Sequence, residues 1–193
     1  MRQLVVLIVV IITNTAIAQN TFEWDGIYQL KLSDFQSTTT QIGGTNIYSL
    51  STGSTIDFLF YMSNAEFMFT KNFNSKVTCS YNRNIVTLVA PDSSTAFDLL
   101  CFARYDFDLS ELYARKLRKK LMEEKGTFSD VTFFKPVYED IQQQFSERRT
   151  IALKITDLGR NKEQLMELHT QVLSEIEQLA DFCKTCKASK KKK

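Results

Sequence analysis

Few side chains in this chain have the type and spacing that metal-dependent catalysis requires. His169 is the only histidine in the 193 residues, and it lies in a segment rich in Glu and Gln. A catalytic zinc site takes three protein ligands and leaves one position open for water. A single imidazole cannot build such a site, so the composition argues against a histidine-based zinc centre. We therefore expect no cofactor, and we expect His169 to be a surface or half-buried residue.

The four cysteines offer a second kind of chemistry. Cys183 and Cys186 have redox-pair spacing, but such pairs normally open a helix, whereas this one follows a helical pattern. A four-cysteine zinc site would need a second close pair, and Cys79 and Cys101 are too far apart in sequence to supply one. A structural disulfide is the preferred interpretation. It would join Cys79 to Cys101, or form within or between chains at Cys183 and Cys186.

The most informative segment covers residues 99–119 and reads LLCFARYDFDLSELYARKLRK. It resembles a bacterial domain-of-unknown-function family of predicted secreted zinc-dependent proteases, whose members read LLxHEQxHFDLxELYARKLRK here. The match from Phe107 to Lys119 holds at almost every position. The segment LSDF at 32–35 and the segment TDLG at 156–159, where the family shows TxHG, are weaker points of similarity.

The resemblance implies a zinc site that this chain has lost. In a His-Glu-x-x-His helix, two histidines one turn apart hold the metal and the glutamate activates its water. Here Phe102 and Asp106 occupy the histidine positions, Ala103 the glutamate position, and Leu158 the position of a possible third histidine. We expect a degenerate, non-catalytic member with no metal site. Phe102 should plug the former cavity and stabilise it, with no buried polar group left unpaired.

The N-terminus has the pattern of a secretory signal peptide, predicted to cover residues 1–18. Arg2 supplies the positive start, residues 4–12 form an apolar run about half as long as the roughly 20 residues of a membrane-spanning helix, and small residues precede the cleavage point between Ala18 and Gln19. We expect export to the periplasm or the cell exterior and no transmembrane segment after cleavage. An uncleaved anchor or a buried strand is the alternative.

The remainder predicts a single α+β domain over residues 19–186, followed by a basic tail at 187–193. Residues 19–90 alternate between apolar and polar and contain turn clusters, which indicates an antiparallel sheet. Residues 92–186 show helical periodicity and predict three to four helices packed on that sheet. The candidate strands are 27–32, 46–50, 55–61, 66–70, 76–81 and 85–89. The candidate helices run from residue 92 to Gly126, with a possible second cap at Asp108 or Ser110, from 138 to 155, and from 161 to 182.

Two surface patterns bear on partners. Apolar residues recur every seven positions from Ile151 to Cys186, so oligomerisation through a C-terminal coiled coil is an alternative to packing on the domain's own core. The basic run at 115–120 is followed at once by Glu123 and Glu124 and recurs in the resembled family, so it is interpreted as a solvated face of the scaffold helix rather than a nucleic-acid or membrane patch. The net charge of +2 also makes no strong case for nucleic acid. We expect an unknown protein or envelope polymer as partner, and no nucleic acid.

The sequence therefore predicts an exported, non-catalytic protein with a binding or structural role in the cell envelope. One alternative is a hydrolase of the same scaffold that holds a metal through Asp106 and neighbouring acids. The other is a disulfide-linked helical oligomer.

Overall fold

The computed structural model of the chain describes residues 20–59, 61–126 and 131–187. The fold within these ranges is α+β, as the sequence predicts. The predicted signal peptide, its cleavage point between Ala18 and Gln19, and the tail from residue 188 onward lie outside the described residues. The strands are β1 (Thr21–Glu23), β2 (Gln41–Ile42), β3 (Ser49–Ser51), β4 (Ser54–Phe58), β5 (Val77–Asn82) and β6 (Thr87–Ala90), and the helices are α1 (Asn64–Phe69), α2 (Ser93–Glu124), α3 (Phe134–Thr156) and α4 (Lys162–Gln178).

The main sheet is antiparallel, in the order β1-β5-β4, so the predicted N-terminal antiparallel sheet is confirmed. Alternate residues of the central strand β5, namely Val77, Cys79 and Tyr81, are at most 2% exposed. This face packs under α2, where the Tyr81 ring lies 5.5 Å from the Phe107 ring. In a second small sheet, β6 pairs antiparallel with β3 but parallel with β2.

Two of the six candidate strands are wrong. Residues 27–32 alternate but form no strand, because side chains take the backbone groups that a strand ladder would use. The Asp25 carboxylate accepts hydrogen bonds from the Ile27 and Tyr28 amides, and Arg104 donates to the Leu30 carbonyl. Residues 66–70 lie mostly in helix α1. The Ser63 side chain caps the start of this helix by accepting a hydrogen bond from the Glu66 amide.

Helix α2 is a single unbroken helix of 32 residues. The Asp92 side chain caps its start by accepting from the Thr95 amide, and the helix ends at Glu124, two residues before Gly126. The possible second cap does not form. Ser110 donates to the Asp106 carbonyl inside the helix, and Asp108 bonds to residues from elsewhere in the chain.

Helices α3 and α4 pack on α2 as an up-down-up arrangement. Lys162 pairs with Asp98 near the start of α2, and Ile176 bonds to Arg115 further along, so α4 runs parallel to α2. The heptad pattern is therefore split by the turn between two antiparallel helices. Leu165 and Val172 are buried in the core, which favours packing within the domain over one continuous coiled coil.

Among residues 20–59, 61–126 and 131–187, no helix combines the length and the apolarity needed to cross a bilayer.

Candidate functional site

The helix positions that the resemblance compares with a zinc site are buried. Phe102 and Ala103 have no exposed surface, and the Phe102 ring packs 5.5 Å from the Tyr105 ring. The turn that follows α3 lies directly against this part of α2. A β-carbon added at Gly159 would be 3.2 Å from Cβ of Phe102 and 2.4 Å from the Asp98 carbonyl oxygen. The structure thus brings the turn that contains Leu158 close to Phe102.

This turn has an unusual backbone conformation, and hydrogen bonds of the Thr156 hydroxyl hold it in place. Asp157 and Leu158 have positive φ angles of 49° and 56°, and Gly159 follows at 95°. The buried Thr156 hydroxyl donates to the Ala152 carbonyl and accepts from the Gly159 amide. A leucine rarely adopts the left-handed region, in which Asn, Asp and His are enriched. Leu158 therefore keeps a conformation better suited to another residue type.

Asp106 is held by an ion pair and is not part of an acidic cluster. Its side chain is 1% exposed, and Arg149 Nε donates to Oδ1 at 2.7 Å while Nη2 donates to Thr52 Oγ1 at 2.6 Å. The second carboxylate oxygen, Oδ2, is buried and has no hydrogen-bond partner among the described residues. The expectation that no buried polar group is left unpaired is therefore wrong, because Asp106 faces a single arginine from α3. Within the described ranges, no three His, Cys, Asp or Glu side chains are grouped to hold a metal.

The cysteines adopt one of the predicted arrangements. Cys183 and Cys186 form a disulfide within the chain, while Cys79 and Cys101 are free. The Cys79–Cys101 alternative does not form, and the two thiols have different surroundings. Cys79 is fully buried and points at the Phe107 carbonyl, whereas Cys101 is half-buried and lines a cavity. Burial raises the pKa of both thiols, so neither is activated as a nucleophile.

This cavity, the α2–α4 groove, lies between α2, α4 and the segment before the first 3-10 turn, and it is open at the surface. Its volume is about 630 Å³, and its walls are residues 24–30, the N-terminal half of α2 and the N-terminal half of α4. Four apolar side chains of its lining are strongly exposed: Ile27 at 85%, Phe97 at 52%, Met166 at 67% and Leu173 at 47%. Small-molecule sites have this size and a mostly apolar lining.

A polar cluster that the sequence did not reveal lies at one end of the groove. Asp108 accepts from Trp24 Nε1 at 2.6 Å through Oδ1, and its Oδ2 lies 2.7 Å from His169 Nε2. His169 is half-buried, as expected, but it is hydrogen-bonded to Asp108 and lines the groove. The chain has one tryptophan and one histidine, and their rarity was the only available signal. Their meeting at Asp108 depends on tertiary contacts over 84 and 61 residues.

Two arginines of the basic run on α2 are not solvated. Arg115 and Arg118 are 7% and 1% exposed. Both pair with Glu111, and they donate to the Ile176 carbonyl at the C-terminal end of α4 and to the Phe182 carbonyl just after it. These two arginines are buried because they lie under α4, where the carbonyls at the helix end need hydrogen-bond donors. These two arginines are therefore unavailable to a nucleic acid.

Comparison with protein-family models, with curated proteins and with solved structures gives no match to this chain.

Proposed function

We propose that the protein is an exported, non-catalytic binding protein of the cell envelope, on a scaffold similar to that of secreted zinc proteases, and that the α2–α4 groove holds its ligand. The observation that carries the proposal is this groove of about 630 Å³, open at the surface and lined by exposed apolar side chains. Contiguous exposed apolar surface is uncommon unless a ligand or partner covers it.

Two features support the location and the absence of catalysis. The N-terminal pattern and the Cys183–Cys186 disulfide both fit an oxidising compartment such as the periplasm or the cell exterior. The helix positions that would carry one zinc ligand and the water-activating glutamate are occupied by buried Phe102 and Ala103. A binding role uses the groove beside these positions and needs nothing from them.

The two alternatives gain less support. A hydrolase with a metal at Asp106 would have to displace Arg149 from that carboxylate. His169 presents its Nε2 to Asp108, and its other ring nitrogen has no hydroxyl or thiol partner among the described residues, so no activated nucleophile accompanies the pair. A disulfide-linked oligomer would have to open the Cys183–Cys186 bond first.

Cys101 provides a chemical test of the groove. It is the free thiol that lines the cavity, while Cys79 is fully buried and Cys183 and Cys186 are joined. The full chain is expressed, purified without reductant, and titrated with the neutral fluorophore N-phenylnaphthylamine before and after alkylation with N-ethylmaleimide. We expect binding by the untreated protein and its loss once mass spectrometry shows one maleimide at Cys101.

The matched control is Cys101→Ala, which should bind the fluorophore and be indifferent to N-ethylmaleimide. Undiminished binding by fully alkylated protein would overturn the groove as the ligand site. One tightly held zinc ion per purified chain, together with chelator-sensitive peptide cleavage, would overturn the non-catalytic role.

A further inference from the structure

We infer that the ligand of the α2–α4 groove is an anionic amphiphile, a single-chain fatty acid whose carboxylate is bound by the Arg104 guanidinium. This inference rests on the proposed binding function and names its ligand class. Arg104 is the charged side chain of the groove whose terminal nitrogens have no partner among the described residues.

Arg104 lies half-buried on the groove face of α2, between Cys101 and Asp108. Its Nε donates to the Leu30 carbonyl at 2.9 Å, which fixes the guanidinium on the groove wall. Neither terminal nitrogen has a hydrogen-bond partner or an ion-pair partner in the described parts of the chain, so a planar pair of donors remains available. Such a fork fits the two oxygens of a carboxylate.

The other charged side chains that face the groove already have partners. Lys162 Nζ lies 3.1 Å from Asp98 Oδ1 at one end. At the other end both oxygens of Asp108 are occupied by hydrogen bonds with Trp24 and His169. In the described part of the groove, the Arg104 guanidinium thus keeps a pair of unused charged donors, which favours a ligand that brings a carboxylate over a neutral or cationic one.

The rest of the lining fits an alkyl chain. From Phe97 to Asp108 the groove follows α2 for about 16 Å, at 1.5 Å per residue, and Arg104 stands within that length. Ile27, Met166 and Leu173 flank it with exposed apolar surface. A medium-length acyl chain that starts at the arginine would cover part of this apolar surface, and each methylene that it buries would add favourable transfer energy.

A ligand series on the unmodified protein tests the charge preference directly. Dodecanoate, dodecanol, dodecyl phosphate and dodecyltrimethylammonium share one tail and differ in the head, and each is used below its micelle concentration to displace N-phenylnaphthylamine. We expect dodecanoate to bind at least tenfold more tightly than dodecanol, because a charge-assisted hydrogen-bond pair is formed, and the ammonium compound to bind most weakly. Equal affinity for dodecanoate and dodecanol, or tighter binding of the phosphate, overturns the inference.

Variants then assign the preference to Arg104. Arg104→Gln should lose dodecanoate affinity at least tenfold and leave dodecanol affinity unchanged, and Arg104→Lys should keep part of the preference through its charge. Lys154→Gln, an exposed cation on α3 away from the groove, should change neither. A thermal melt accompanies each variant, since Arg104 also holds the 24–30 segment.

The two proposals fail in different ways. Retained fluorophore binding that alkylation of Cys101 blocks, without any carboxylate preference, removes the fatty-acid inference and leaves the binding function standing. Failure of a folded protein to bind the neutral fluorophore and every amphiphile removes both.

Discussion

His169 Nε2 and Asp108 Oδ2 meet at 2.7 Å across the α2–α4 groove, and Trp24 approaches the same carboxylate from the third wall. One side chain of α2 thus ties both other walls of the groove to the helix. The Asp108 carboxylate therefore has a structural role, which its place in the segment 99–119 does not predict.

Replacing Asp108 by Leu should therefore destabilise the fold by about 2–3 kcal/mol, because the donors of Trp24 and His169 lose a charged acceptor in a part-buried site. Urea denaturation followed by the fluorescence of the sole tryptophan, Trp24, measures the loss. Asp98→Leu is the comparison at the other end of the groove. Its partner Lys162 is 69% exposed, so we expect a loss below about 1 kcal/mol. Equal losses in the two variants would contradict the proposed role of Asp108.

The buried pair of Asp106 and Arg149 predicts non-additive variants. Arg149→Met leaves the carboxylate, which is 1% exposed, without a counter-charge and should cost about 3 kcal/mol. The double variant Asp106→Leu with Arg149→Met removes both charges and the unpaired Oδ2, and should recover most of that loss. Chemical denaturation of these two variants and of the single variant Asp106→Leu, each against the unmodified protein, gives the coupling. Additive losses would show that the two side chains act independently.

Two glycines separate the effects of crowding and backbone strain. Gly159 and Gly43 both have positive φ, at 95° and 88°. A methyl group at Gly159 would strike the Asp98 carbonyl at 2.4 Å, whereas one at Gly43 would have no neighbour within 4 Å. We expect Gly43→Ala to lower the free energy of unfolding by about 1 kcal/mol and Gly159→Ala to lower it by about 3 kcal/mol or more. Thermal unfolding compares the two, and similar melting temperatures would be inconsistent with the close contact at α2.

Glu175 predicts a dependence of stability on pH. Burial raises the pKa of this carboxyl, but hydrogen bonds from Lys116 and Arg148 outweigh burial and leave the pKa below its ordinary value of 4.5. The folded state therefore holds its proton less tightly than the unfolded state does. The stabilisation is present above pH 4.5 and is lost as the pH falls through the lower pKa of the folded protein.

Glu175→Gln should accordingly cost about 1 kcal/mol at pH 7, a modest figure because all three side chains are partly solvated, and close to nothing at pH 3. Denaturation at the two pH values measures this difference. The control is Glu177→Gln, an exposed glutamate that has no ion pair in the described ranges. A cost for Glu175→Gln that stays the same at both pH values would argue against the ionic origin.

The sequence predicts best where local chemistry decides the structure. The Asp92 cap, the strand now β5 and the start of α4 at Asn161 all follow from side chains within a few positions of one another. Local pattern fails where a distant group intervenes. Residues 27–32 alternate like a strand, but Arg104, 74 positions after Leu30, takes the Leu30 carbonyl.

In the candidate site, too, the features set by residue type can be predicted from the sequence, and those set by distant contacts cannot. Inspection of residue types identifies Phe102 and Ala103 as unable to serve a metal, because the chemistry of a side chain is fixed by its type. The sequence does not predict the groove, because its walls come from three separated segments of the chain. The pairing of Asp106 with Arg149 spans 43 positions and depends on α3 running antiparallel to α2.

Because of the buried arginines 115 and 118, the contacts between α2 and α4 differ at the two ends of the helix pair. The two arginines fasten the C-terminal end of α4 to α2 through buried bonds to backbone carbonyls. At the opposite end the two helices are joined by one exposed lysine and by a half-buried histidine. Added salt should therefore weaken the partly solvated contacts beside the groove before it affects the buried contacts at the C-terminal end of α4.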